Sequence, residues 1–207
     1  MHRRGRRCAL VTARGEQLKT RHAGSRKAPG LRERNRLDKL ARIKSAARDL
    51  FNELGFDRAT TRAIAERAHV GLGTLFNYAD DKRDLVFLIF NEELDRITDS
   101  AFAVAGPRRP LHEQLASAFG VFYREFAANP TLSRILLREL TFYSQGRLAG
   151  DFQRSKRRTI GCIEQLVAAS QREGRIHAGE DPATLALAIF FLYSGAVRPR
   201  RAGLTRI

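Results

Sequence analysis

The tightest constraint on this chain is a three-residue interruption. Between residues 60 and 84 the sequence reads TTRAIAERAHVGLGTLFNYADDKRD, and His69-Val70-Gly71 divides two short helical patterns. Before the break, Ile64, Ala65 and Ala68 fall on one face, flanked by Arg62 and the strong helix formers Glu66 and Arg67. Thr60 or Thr61 offers a hydroxyl that can accept an orphan N–H of the first turn. After the break, a short helix over residues 72–78 turns Leu75 inward and spreads Thr74, Phe76, Asn77 and Tyr78 around the rest. Gly71 supplies the backbone freedom that so tight a turn demands. Two short helices joined through a glycine-bearing turn form a helix-turn-helix.

Helical spacing continues on both sides. Leu40, Ile43, Ala47, Leu50, Phe51 and Leu54 recur at three and four residues, which predicts a helix over residues 37–54 that Gly55 stops. Phe56 then plugs a small three-helix core. Asp80 or Asp81 caps a long helix that starts near Lys82 and runs through Leu85, Val86, Leu88, Ile89, Leu94 and Ile97 to about residue 104. Gly106-Pro107-Arg108-Arg109-Pro110 breaks the chain. Further helices are expected over residues 111–128, from a Thr131 cap to about Leu140, over 152–172, and over 182–197 with Pro182 in the first position. The last is apolar on nearly every side, the pattern of a helix buried in a core or against another subunit. No strand pattern and no internal repeat is found, so the expected class is all-α.

Charge separates the ends from the middle. The formal net charge is +16. Residues 1–36 hold twelve Lys or Arg against Glu16 and Glu33, and residues 198–207 add four arginines, which leaves residues 37–197 at about +2. The first 36 residues lack apolar periodicity and are expected to form a disordered basic arm, with residues 198–207 as a basic tail. Such arms attract a phosphate backbone whatever its sequence, and residues 31–36 are the best placed to touch DNA. With 43% hydrophobic residues in 207, the chain can bury a small domain and a second helical core.

Several classes are set aside. Cys8 and Cys162 make no disulfide framework and fit a reducing cytoplasm. No apolar run reaches the roughly 18 residues of a membrane span. Ala9-Leu10-Val11 is too short for a signal-peptide core of about 7–15 residues. Gly71-Leu72-Gly73 lacks the preceding strand and third glycine of a nucleotide loop. The five histidines (2, 22, 69, 112 and 177) show neither metal spacing nor a catalytic register. The expectation is a cytoplasmic protein off the membrane, with no catalytic residue, no metal and no cofactor.

Gly55-Phe56-Asp57, Thr60-Thr61-Arg62-Ala63-Ile64-Ala65, Val70-Gly71-Leu72-Gly73-Thr74-Leu75-Phe76-Asn77-Tyr78 and Asp81-Lys82 together resemble the DNA-binding domain of TetR-type transcriptional regulators. The resemblance covers roughly residues 37–90. Gly71 stands where that family usually has a serine or similar cap, and Ala79 where it usually has phenylalanine. A looser recognition helix and one missing apolar anchor follow. The resemblance implies a helix-turn-helix DNA-binding domain at residues 37–84 and a helical regulatory, ligand-binding and dimerisation domain at 85–197. It also implies a sequence-specific regulator, most simply a ligand-responsive repressor acting as a homodimer on a near-palindromic operator. TetR-like proteins use their last two helices for a dimeric four-helix bundle; here one wholly apolar helix precedes Arg198-Pro199-Arg200-Arg201.

Roles on double-stranded DNA follow for ten residues. Arg62 can present a bidentate fork to guanine, Thr74 a hydroxyl and a methyl, and Leu72 and Phe76 apolar contact to thymine methyls. Gly73 lets the backbone approach the bases. Thr60, Thr61, Tyr78 and Lys82 are placed for phosphate, and Asn77 reaches phosphate or nothing. Phe102, Phe119, Phe122, Tyr123, Phe126, Phe142, Tyr143 and Phe152 form an aromatic set in the middle helices that could line a cavity for a small apolar or aromatic ligand, as the resemblance implies. The alternative function is a non-specific architectural DNA-binding protein that works through its basic arms.

Overall fold

The helix expected over residues 37–54 is longer at both ends. In the computed structural model, which describes residues 30–106, 108–139, 143 and 145–197, α1 spans Leu31–Arg58. Its early turns carry no apolar stripe; Glu33 sits at the positive end of the helix and pairs with Arg36 at 2.8 Å. Residues 31–36 therefore belong to α1 and not to an arm. Residues 1–29 and 198–207 lie outside the described residues. The expected break does fall at Gly55, whose φ of 76° interrupts the ladder before one more turn.

α2 (Thr61–Arg67) and α3 (Leu72–Phe76) make the motif, with Thr60 as the N-cap: its hydroxyl accepts from the Ala63 N–H at 3.1 Å. The turn is built differently from the sequence reading. The left-handed residue is His69, φ 51°, not Gly71. The Val70 N–H reaches back to the Ala65 carbonyl at 3.0 Å and the His69 N–H to Glu66 at 3.0 Å, a Schellman closure of α2. Arg42 completes it by donating to the carbonyls of Ala68 and His69. Gly71 has φ −65° and ψ 147°, an ordinary N-cap conformation, and makes no side-chain cap.

α4 (Lys82–Ala103) is capped by Asp81, whose carboxylate accepts from the Asp84 N–H at 2.8 Å. α5 (Leu111–Ala128), α6 (Pro130–Glu139), α7 (Ala149–Arg172) and α8 (Pro182–Val197) complete eight helices, and no strand occurs among the described residues. The cap of α6 is Asn129, which accepts the Leu132 N–H at 3.2 Å, and not Thr131. An Asx cap one residue before Pro130 fits the rule that proline opens a helix without a donor.

Two apolar clusters organise these helices. The first joins Ile43, Ala47, Leu50 and Phe51 of α1, Ile64 of α2 and Leu75 of α3 to the first half of α4, and then to Leu132, Ile135 and Leu136 of α6. The core expected for three helices is thus shared with α4 and α6. The second joins Ile97, Ala101 and Phe102 of α4 to α5, α7 and Ala186 of α8. α4 belongs to both. Its second half is pinned to α7 by Thr98 and Thr159, 3.0 Å apart, and by Arg158, which pairs with Asp99 and donates to the Asp95 carbonyl.

Candidate nucleic-acid interface and internal cavity

α3 is held by one buried residue and presents the others. Leu75 is 0% exposed in the first core, and the small Ala79 is buried beside it. Gly73, Phe76 and Asn77 are exposed, Phe76 to 40%. Thr74 is half-buried, and Leu72 and Tyr78 lean against the first core. Tyr78 also donates its hydroxyl to the Arg36 carbonyl at 3.2 Å, which fixes the first turns of α1 beside α3. Arg32, Arg34 and Lys39 are exposed on those turns.

Arg62 is exposed at the start of α2 and makes no ion pair among the described residues. Thr60 is exposed; its oxygen serves α2 as cap, so its proton points elsewhere. Thr61 is half-buried. Lys82 is engaged: its ammonium donates to the carbonyls of Asp57 at 3.2 Å and Ala59 at 3.1 Å and lies 4.5 Å over the Phe56 ring. Arg138 of α6 covers the same ring at 4.9 Å and pairs with Asp57 at 3.3 Å.

A second support, not foreseen from sequence, reaches α3 from the far half of the chain. Arg147, between α6 and α7, donates to the carbonyls of Phe76 at 3.1 Å and Asn77 at 2.6 Å and pairs with Asp80 at 3.1 Å. A cation on the last carbonyls of a helix satisfies orphan acceptors and complements the dipole. Beside it, Tyr143 donates to the buried Asp84, which also accepts the Asp80 N–H at 2.8 Å. Burial, and then the bond to Asp84, push the Tyr143 hydroxyl well above its usual range, so it remains a donor. Gly146 makes this packing possible, because a Cβ there would lie 2.8 Å from the Tyr143 ring.

The aromatic set divides. Phe122, Phe126 and Phe152 line one cavity of about 110 Å³, with Leu94, Leu137 and Phe190. Ser155, Lys156, Thr159, Tyr193 and Ser194 add the polar part of its wall. Phe102 is buried in the second core away from that wall. Phe119 stacks on Tyr193 at 4.1 Å, and Tyr123 meets Tyr193 edge-on at 5.5 Å. Tyr143 stacks on Phe87 at 3.6 Å, and Phe152 stands between these rings and the cavity, 5.1 Å from Phe87. Phe142 lies outside the described residues. The contribution of α8 was hidden in the sequence because a helix apolar all round does not declare which face looks inward.

On α8, Ala186 is buried, while Leu187, Phe191 and Leu192 are exposed to 43%, 56% and 76%. Ala183, Thr184, Ala188 and Gly195 are exposed with them, one stripe along the helix. α8 packs most extensively against α7. No helix among the described residues is long and apolar enough to cross a membrane.

Residues 43–89 match the family model described as bacterial regulatory proteins, tetR family. The HTH-type transcriptional repressor KstR of Mycolicibacterium smegmatis is 31% identical over 104 residues, 49% of this chain and 50% of that protein. The match thus spans about half the length of this relative. The uncharacterized HTH-type transcriptional regulator YhgD of Bacillus subtilis is 24% identical over 76% of this chain and 81% of its own. Among solved structures, the transcriptional regulator FadR of Bacillus subtilis in complex with stearoyl-CoA aligns with a TM-score of 0.61 at 20% identity, over 75% of this chain and 83% of that one. At that identity the likeness concerns the fold.

Proposed function

We propose that this chain, a DNA-binding regulatory protein of the TetR family, is a ligand-responsive repressor that grips a near-palindromic operator as a homodimer. The observation that carries the reading is the presentation of α3. Its base-facing candidates Gly73 and Phe76 stand outward with Thr74 half-buried between them, while Leu75, Tyr78 and Arg147 hold its tilt. A recognition helix needs that combination, because base edges discriminate only when the donor and acceptor positions are fixed. Arg62 supplies the guanine fork. Thr60, Thr61, Asn77 and the remaining ammonium proton of Lys82 serve the phosphates, joined by the exposed cations at the start of α1. Tyr78 acts through the α1 backbone that it positions.

The exposed stripe of α8 supports self-association. A single five-residue recognition helix binds weakly, and a two-fold pair of them doubles the reading. The cavity supports the ligand-responsive part, and FadR with its stearoyl-CoA is a precedent in this fold for a small molecule. α4 is the lever, since it starts at the DNA-binding core and ends in the ligand-binding one.

Selection of bound sequences from a random DNA pool, followed by footprinting, tests the reading. A protected near-palindrome is the expected result. Uniform coverage would favour the architectural binder instead. Arg62→Ala should then lower affinity for the selected site by about 1–3 kcal/mol and relax base preference at one position per half-site.

A further inference from the structure

We propose that the cavity takes a small monocarboxylate whose body is one aromatic ring or a branched chain of similar bulk, with Lys156 as its counter-ion. This rests on the reading of the cavity as the effector site. Size sets the body. The cavity measures about 110 Å³. An apolar cavity of about 150 Å³ accepts benzene, whereas drug-sized ligands occupy several hundred. A volume of that order suits a body no larger than one ring.

Charge sets the head group. Among the described residues of the wall, Lys156 is the one that carries a charge, and no Asp or Glu is found there. Its ammonium lies 5.8 Å from the Phe190 ring centre and 5.4 Å from that of Phe191, and no carboxylate among the described residues pairs with it. Lys156 is a half-buried residue whose ammonium lies against ring faces, which leaves it free to take an anion from the cavity. An unmatched donor stands in the same wall. The Tyr193 hydroxyl is buried without a hydrogen-bond partner among the described residues. Burial pushes its pKa upward, so it keeps its proton and asks for an acceptor. A carboxylate brings negative charge and acceptor lone pairs together. A neutral apolar guest would fill the space and leave both groups unmatched.

Calorimetric titration of the full chain tests this with benzoate and isovalerate, their neutral counterparts benzyl alcohol and isoamyl alcohol, 2-naphthoate, and the coenzyme A thioester of benzoate. One of the two small acids should bind at least about tenfold more tightly than its alcohol and than naphthoate. Lys156→Met should remove most of that preference, Lys156→Arg should retain it, and Tyr193→Phe should weaken the acid about fivefold. The comparison on the unaltered chain needs no variant to fold. Equal binding of acid and alcohol, tighter binding of the thioester, or no binding of either acid at millimolar concentration would overturn the proposal. Release of selected DNA is read separately. An acid that binds without changing DNA affinity would sink the ligand-responsive reading and leave this one standing.

Discussion

The two apolar cores of this molecule are built on different rules. Around the first, Ile43, Phe51, Ile64, Leu75 and Leu85 are fully enclosed, and the large apolar groups left outside, Leu31, Leu37, Leu54 and Phe76, are scattered over α1 and α3. Around the second, a hollow remains inside and Leu187, Phe191 and Leu192 remain outside. The first core is complete within one chain. The second leaves apolar surface both within and without, the condition of a region that expects company. On the proposed function, the difference teaches that close packing supports the helix that reads DNA, while space is kept where a signal would enter.

The sharpest way to break this contrast is to truncate one leucine on each side. Leu75→Ala should cost about 2–5 kcal/mol in denaturant unfolding, because a fully buried side chain leaves a cavity. Leu192→Ala, at 76% exposure, should change monomer stability by no more than about 0.5 kcal/mol and should instead weaken self-association in sedimentation. Equal losses in both would erase the distinction. Next in size, Gly146→Ala drives a methyl into the Tyr143 ring and should cost about 1–3 kcal/mol, seen as a lowered melting temperature. Since Tyr143 meets Asp84 while Arg147 grips α3, DNA affinity should fall with it.

Two smaller changes sharpen the account of the first region. His69→Gly relieves a left-handed side chain at the end of α2 and should stabilise by about 0.5–1 kcal/mol in thermal unfolding. Gly71→Ser installs the missing cap where space is open, the nearest atom to a new Cβ being Thr74 Oγ1 at 3.9 Å. It should gain only a few tenths of a kcal/mol, measured by chemical denaturation.

Legibility in the sequence follows the same divide. The motif was readable because its determinants are local: the Thr60 cap, the inward Leu75 and the stop at Gly55 each act within one turn. His69 was misread because a left-handed histidine carries no compositional mark, while a nearby glycine draws the eye. The start of α1 was missed because its early turns rest on a Glu33–Arg36 pair and not on apolar spacing. Of the aromatic set, Phe122, Phe126 and Phe152 share the cavity, but spacing along a helix does not say which rings meet across helices. Arg147 and Lys156 were invisible for that reason: an arginine beside a loop glycine and one lysine among many basic residues acquire meaning only through contacts distant in the chain.

Phe152 carries one consequence further. One side of its ring faces the hollow, and the other leans on the aromatic stack that shelters Asp84. On the proposed function, resizing this ring to admit a different guest would also disturb the support of the DNA-reading helix. Leu94, Leu137 and Phe190 line the same hollow without touching that stack, so a change of guest through them would leave the stack in place.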